Sequence, residues 1–265
     1  TPDIQEYLVL PLESKSFLQA FAVNINVHKK LGKLLEEKIP TFTGGRGDEG
    51  AWAPPIKNED ALEFVVKVAE EISSETGIKV GVGLDVAASS LWNPKLNRYE
   101  YVNEGKHKDK GEQLEYILGL IEKFKLVYVE DPFHEDDFEG FAELTKKVKN
   151  CLICGDDLFV TNKNKLNLGA KLKAANALII KPNQVGTVYD AYETVITAKS
   201  LNYIPVLSHR SGETTDVHLA HLAVAFGCPI IKTGVLGGER TSKLNELIRI
   251  EETLKEKASV AKLNL

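Results

Sequence analysis

Short apolar runs recur along the chain, and each stops on a charged or polar residue. Val80 to Leu84 stops at Asp85, Leu126 to Val129 at Glu130, Leu152 to Gly155 at Asp156, and Leu178 to Ile180 at Lys181; Pro205 to Leu207 stops at Ser208-His209-Arg210 and Pro229 to Ile231 at Lys232. From the second run onward the spacing is about 25 residues, the length of one strand and one returning helix, which predicts a parallel β/α alternation. Between the runs, apolar residues fall at helical spacing: Phe17, Leu18, Phe21, Ile25, Leu31 and Leu35 mark a helix within 14–38 that ends at Ile39-Pro40. The full expectation is a strand at 4–10, helices at 14–38 and 58–76, and a strand at 79–84. Helix and strand then alternate: 109–124, 126–129, 138–148, 152–155, 164–173, 177–180, 187–200, 204–207, 216–226, 229–231 and 239–256. A Gly-rich loop, Gly44 to Gly50, separates the first two helices.

This order predicts an α/β fold, a TIM-type (β/α)8 barrel in one domain over 1–265. In such a barrel the strand ends converge on one face, so the polar residues that close the runs would line one pocket. The strands number seven where a closed barrel needs eight, so the missing one is expected before Thr1, and the domain reads as incomplete at its N-terminus. The chain has no Met, even at position 1, which reads as a start inside a longer polypeptide.

Composition narrows the function classes. Of 265 residues, 43% are hydrophobic, enough for the core of one barrel. A net charge of −5 without a basic, aromatic-rich stretch argues against a nucleic-acid partner. No apolar run is long enough for a membrane span, and three cysteines make no disulfide framework; together these predict a cytoplasmic protein. Cys151 and Cys154 form a C-x-x-C pair, but residues three apart on a strand point to opposite faces, so a redox or zinc role is not expected.

Asp85, Glu130 or Asp156 alone reads equally as a helix cap or turn residue. Three acidic residues at successive strand ends read differently. Carboxylates gathered at one mouth repel, and burying them unpaired costs several kcal/mol, so a divalent cation is the natural compensation. All-oxygen ligation points to Mg²⁺. Lys181, at the end of an apolar strand beside that charge, is a candidate base, although a strand-end lysine can also simply reach solvent. In Ser208-His209-Arg210-Ser211-Gly212-Glu213-Thr214 an arginine and hydroxyls adjoin a glycine at a helix start, as anion binding requires.

The same strings resemble those of the enolases. The resemblance spans nearly the whole chain. It rests above all on Ser208 to Thr214 and on Gly155-Asp156-Asp157-Leu158-Phe159-Val160-Thr161-Asn162. Ile4-Gln5-Glu6-Tyr7, Gly47-Asp48-Glu49-Gly50, Gly83 to Ser89, Val129 to Phe133, Asn183 to Thr187 and Ile231 to Gly234 support it. It implies Mg²⁺ on Asp85, Glu130 and Asp156, with Lys181 removing the C2 proton of 2-phosphoglycerate. Glu49, helped by Glu6, would assist departure of the C3 hydroxyl. Lys232 would hold the substrate carboxylate, Arg210 and Ser211 the phosphate, and His209 would complete the pocket. The resemblance further implies a homodimer or higher homo-oligomer.

Several features depart from the pattern. The smaller N-terminal α+β capping domain and the first barrel strand are missing from the sequence. Pro182 follows Lys181, Ala51-Trp52 follows Gly50, and Val235-Leu236-Gly237-Gly238 follows Gly234. The expected function is Mg²⁺-dependent dehydration of 2-phosphoglycerate to phosphoenolpyruvate, a hydro-lyase reaction, with the segment alone expected to be inactive. The rivals are a paralogue acting on another carboxylate and a non-catalytic binding or assembly module. Retained Arg210 and Ser211 favour a phosphorylated carboxylate substrate.

Overall fold

The computed structural model of the protein describes residues 1–263. The chain runs β1 (Glu6–Pro11), α1 (Phe17–Lys38), α2 (Asn58–Thr76), β2 (Val80–Asp85), β3 (Trp92–Asn93), β4 (Arg98–Tyr101), β5 (Lys106–Lys108), α3 (Lys110–Phe124), β6 (Tyr128–Glu130), α4 (Phe138–Lys147), β7 (Leu152–Gly155), α5 (Lys163–Leu172), β8 (Ala177–Ile180), α6 (Pro182–Val185), α7 (Val188–Ser200), β9 (Ile204–Ser208), α8 (His218–Ala225), β10 (Ile230–Lys232) and α9 (Gly238–Leu254). Local chemistry sets many of the boundaries. Ser16 caps α1 by accepting from the Gln19 amide, and Asp109 with Glu112 forms a reciprocal capping box at the start of α3. Helix α1 stops at Ile39, whose extended backbone is what a following proline demands.

Seven strands form one sheet in the order β1-β2-β6-β7-β8-β9-β10, as the sequence predicts. All neighbours from β2 to β10 are parallel, but β1 is antiparallel to β2, with Glu6 opposite Asp85. This corrects the expectation of a uniformly parallel alternation in which every strand presents its C-terminal end to one mouth. Two helices, α1 and α2, lie between β1 and β2, so the chain re-enters the sheet in the reverse direction. Glu6 therefore reaches the mouth from the start of its strand.

The sheet curls into a barrel wall. Its two outermost strands meet at the mouth, where Lys232 of β10 lies 3.2 Å from Glu6 of β1. Their helices meet outside, where Glu251 of α9 accepts from the Phe17 and Leu18 amides at the start of α1. Between these strands lies a cavity of about 730 Å³, lined in part by Leu8, Leu10, Tyr128, Val206 and Ile230.

Apolar side chains divide into two layers by strand alternation. Leu84, Val129, Ile153, Leu178, Ile180 and Leu207 face the helices, while Tyr128, Leu152, Cys154, Ile179 and Val206 pack inside the barrel. Cys151 joins the outer layer and Cys154 the inner, and both are free, as their opposed faces require. A separate three-stranded antiparallel sheet, β3-β4-β5, was not expected from the sequence. It buries Tyr99 and Tyr101 completely against the main core. No described helix is long and apolar enough to cross a membrane.

Candidate active site

The strand ends deliver their polar residues to one mouth. Asp85 and Glu130 end adjacent parallel strands in direct register, and Asp156 follows the end of β7. Lys181 follows β8, Ser208 ends β9, and Lys232 ends β10. Glu49 arrives from the Gly-rich loop between α1 and α2.

Lys232 is the hub. Its Nζ lies 2.7 Å from Asp85 Oδ2, 2.9 Å from Glu130 Oε1 and 3.2 Å from Glu6 Oε2. Burial works against the lysine charge, but Asp85, Glu130 and Glu6 outweigh it and hold Lys232 well above the usual lysine value. Burial, reinforced by Asp85, pushes Glu130 well above the usual carboxylate range. The Tyr128 hydroxyl, inside the barrel, donates to the other oxygen of Glu130 at 2.7 Å.

Lys181 pairs with Asp156 through Oδ2, while Asp156 Oδ1 is buried with no partner. Beside it, Asp131 sits in the left-handed backbone region (φ 41°) and accepts the Asp156 and Asp157 amides on its two oxygens, at 2.9 and 2.8 Å. The Asp131 backbone also reaches both neighbouring strand ends: its amide donates to Cys154 O, and its carbonyl accepts from Ala88. Asp131 thus ties β2, β6 and β7 together just behind their acidic residues.

The second cluster is His209, Glu49 and Ser211. His209 Nε2 lies 3.0 Å from Glu49 Oε2, and the Ser211 hydroxyl lies 3.3 Å from Glu49 Oε1. Burial alone would raise Glu49, but the hydrogen bond and charge of His209, with Lys232 and Arg240 beyond, bring it down to about 2. Glu6 goes the other way: burial pushes it up to about 7, against the pull of Lys232 and with help from Asp85 and Glu49. Arg210 reaches Asn183 Oδ1 at 3.0 Å.

Nine of the ten residues singled out in the sequence therefore fall into three connected groups: Asp85, Glu130, Glu6 and Lys232; Asp156 and Lys181; and Glu49, His209 and Ser211. The tenth, Arg210, instead turns its side chain to Asn183. Among the described residues, the group of three carboxylates whose oxygens all lie within 4.8 Å of one another is Asp131, Asp156 and Asp157. Asp85 and Glu130 instead converge on Lys232, which supplies the positive charge that acidic groups at one mouth require. The chemistry of the site fits a hard divalent cation: the donors are carboxylate oxygens, and Asp156 Oδ1 is buried and unpartnered. Asp131, with both oxygens on backbone amides, is suited to support such a cation from behind.

Sequence reading passed over Asp131, Tyr128 and two buried cations on α9, Arg240 and Lys243. The signal for the last two was present. Arg240, Lys243, Leu244 and Leu247 fall at spacings of one helix face, and the two leucines mark that face as the buried one.

A family model described as "Enolase, C-terminal TIM barrel domain" matches residues 1–264. The chain is 57% identical over 254 residues to the enolase of Methanosphaera stadtmanae, covering 96% of this chain and 61% of that protein. It is 54% identical to the enolase of Methanothermobacter thermautotrophicus with the same coverage. Against the enolase of Pyrobaculum aerophilum it is 49% identical over 264 residues, covering 100% of this chain and 62% of that protein. The chain thus spans about three fifths of the length of these relatives.

Proposed function

Because the chain belongs to the enolase family, as its C-terminal TIM barrel domain, we propose that the intact protein is a hydro-lyase that dehydrates 2-phosphoglycerate to phosphoenolpyruvate. The observation that carries this reading is the meeting of two lysines with Asp85, Glu130, Asp156 and Glu6 at one mouth. A proton beside a carboxylate is very weakly acidic, and removing it needs a base and concentrated positive charge in the same place.

Lys181 is the base for the C2 proton. Lys232 turns from its carboxylate partners to hold the carboxylate of the substrate, and Arg210 with Ser211 binds the phosphate. Asp85, Glu130 and Asp156 would hold Mg²⁺, which when bound supplies charge to stabilise the developing enolate. The electron pair left at C2 forms the C2–C3 double bond as the C3 hydroxyl departs. The two nearby glutamates are driven apart in acidity, which separates their roles. Glu6, pushed up to about 7, retains a proton near neutrality and donates it to the leaving hydroxyl, which departs as water. Glu49, brought down to about 2, stays ionised, held by His209 and Ser211, so it assists the departure as a carboxylate and the proton comes from Glu6, the reverse of the order the resemblance implies.

On the same reading the protein is cytoplasmic, residues 1–265 form one barrel domain and the intact protein pairs as a homodimer; light scattering on the intact protein tests the pairing. The activity is tested by following phosphoenolpyruvate formation from 2-phosphoglycerate. The expected result is turnover that stops on chelation of Mg²⁺ and returns on its re-addition. Absence of turnover with Mg²⁺ present would overturn the reading.

A further inference from the structure

Arg240 is fully buried, yet its side chain touches both loops that carry the second cluster of the site. Its Nη1 lies 3.0 Å from His209 Nδ1 and also donates to the Arg210 carbonyl; its Nη2 donates to the Ser211 carbonyl at 2.7 Å and points to the Asp48 carbonyl at 3.4 Å. One planar group thus reaches the His209 ring, the backbone of the two residues that follow it and the residue before Glu49. Helix α9 positions it rigidly, with Lys243 one turn on binding the carbonyls of Thr214 and Asp216 farther along the same loop.

The His209 contact has a chemical consequence. A guanidinium has only donors, so the imidazole nitrogen facing it must accept. The proton of the ring is then on Nε2, the nitrogen 3.0 Å from Glu49 Oε2. Thr233, whose hydroxyl lies 3.4 Å from the same Nδ1, could not impose this choice, because a hydroxyl both donates and accepts. We propose that Arg240 is a positioning residue that fixes His209 as the Nε2–H tautomer and so keeps the Glu49 carboxylate held as an acceptor facing the substrate. The proposal rests on the assignment of Glu49 and His209 to the reaction site.

The test is ¹⁵N NMR of the histidine rings in the intact protein, with the His209 signals assigned by loss in His209→Gln. The expected spectrum at pH 8 has an unprotonated Nδ1 and a protonated Nε2. A ring protonated on Nδ1, or on both nitrogens at pH 8, would overturn the proposal. Arg240→Lys retains charge but loses the planar fork. It should mix the tautomers and lower kcat by about 10²-fold, with KM less affected, the scale expected for a misplaced catalytic group. An Arg240→Lys protein that keeps the single tautomer, whatever its rate, would also overturn it. If that variant does not fold, the wild-type spectrum decides alone. Thr233→Val should leave the tautomer unchanged, and a switch in that variant would assign the role to Thr233 instead. The spectrum needs no substrate, so it is read independently of whether the protein forms phosphoenolpyruvate.

Discussion

Replacing Lys232 with Met would remove the positive centre of the mouth while keeping most of the side-chain volume. Asp85, Glu130 and Glu6 would be left facing one another, and their side chains are only 6%, 0% and 17% exposed. Breaking a buried ion pair from one side costs about 3–5 kcal/mol, and here three acidic partners share the loss. At about 2–4 °C per kcal/mol for a chain of this size, the midpoint of thermal unfolding in EDTA at pH 8 should fall by about 6–20 °C. The pH dependence has a defined sign. Glu6 in the folded protein has its pKa raised from 4.5 to about 7, so between those values the folded state binds more protons than the unfolded state, and stability falls as pH rises through that window. Without Lys232 the rise is larger, so the variant should go on losing stability above pH 7, and its deficit should narrow towards pH 5. A cation bound by the freed carboxylates should restore about 2.7 kcal/mol at a hundredfold excess over its Kd. The assay is a set of thermal melts of wild type and variant at several pH values, with EDTA or Mg²⁺. A deficit below about 1 kcal/mol at pH 8, or one that widens in acid, would refute the reasoning.

Two further predictions concern the supports of the site. Asp131→Asn keeps the shape but turns an NH₂ towards one of the Asp156 and Asp157 amides, so Mg²⁺ affinity measured by titration calorimetry should fall about 10–100-fold; unchanged affinity would remove Asp131 from that role. At Gly32, an added Cβ would lie 2.5 Å from the Trp52 ring, which stacks on His28 and donates to its carbonyl at 2.8 Å. Gly32→Ala should cost about 1–3 kcal/mol of stability and displace the loop carrying Glu49, read as lower kcat with altered Trp fluorescence. Wild-type kcat and fluorescence in that variant would show that Trp52 does not anchor the loop.

The main sheet was legible because each strand is an apolar run bounded by turn or cap residues, and observed ends differ from the expected ones by two residues at most. Strand direction at β1 could have been read from the two uninterrupted helices that follow it, since an even number of helical crossings reverses the chain. The small sheet was hidden in a polar stretch, although Arg98-Tyr99-Glu100-Tyr101 alternates as a strand buried on one face should. Strand-end carboxylates and lysines were legible because topology alone brings them to one mouth. Their pairing was not, because it depends on which lysine reaches which acid across the barrel: Lys232 crosses from β10 to β1, β2 and β6. The burial of Arg240 was readable from the spacing along α9, but Asp131 and Arg240 act mainly through backbone amides and carbonyls, and no spacing of residue types reports contacts of that kind.

The most direct test of Lys181 as the base at a mouth built for proton abstraction is exchange of the C2 proton of 2-phosphoglycerate with solvent, in wild type and in Lys181→Ala. Wild type should exchange the proton in the presence of Mg²⁺. Lys181→Ala should lose at least 10²–10⁴-fold in exchange rate, the scale of a positioned acid or base, while still binding substrate measurably. Exchange in Lys181→Ala at the wild-type rate would contradict the assignment.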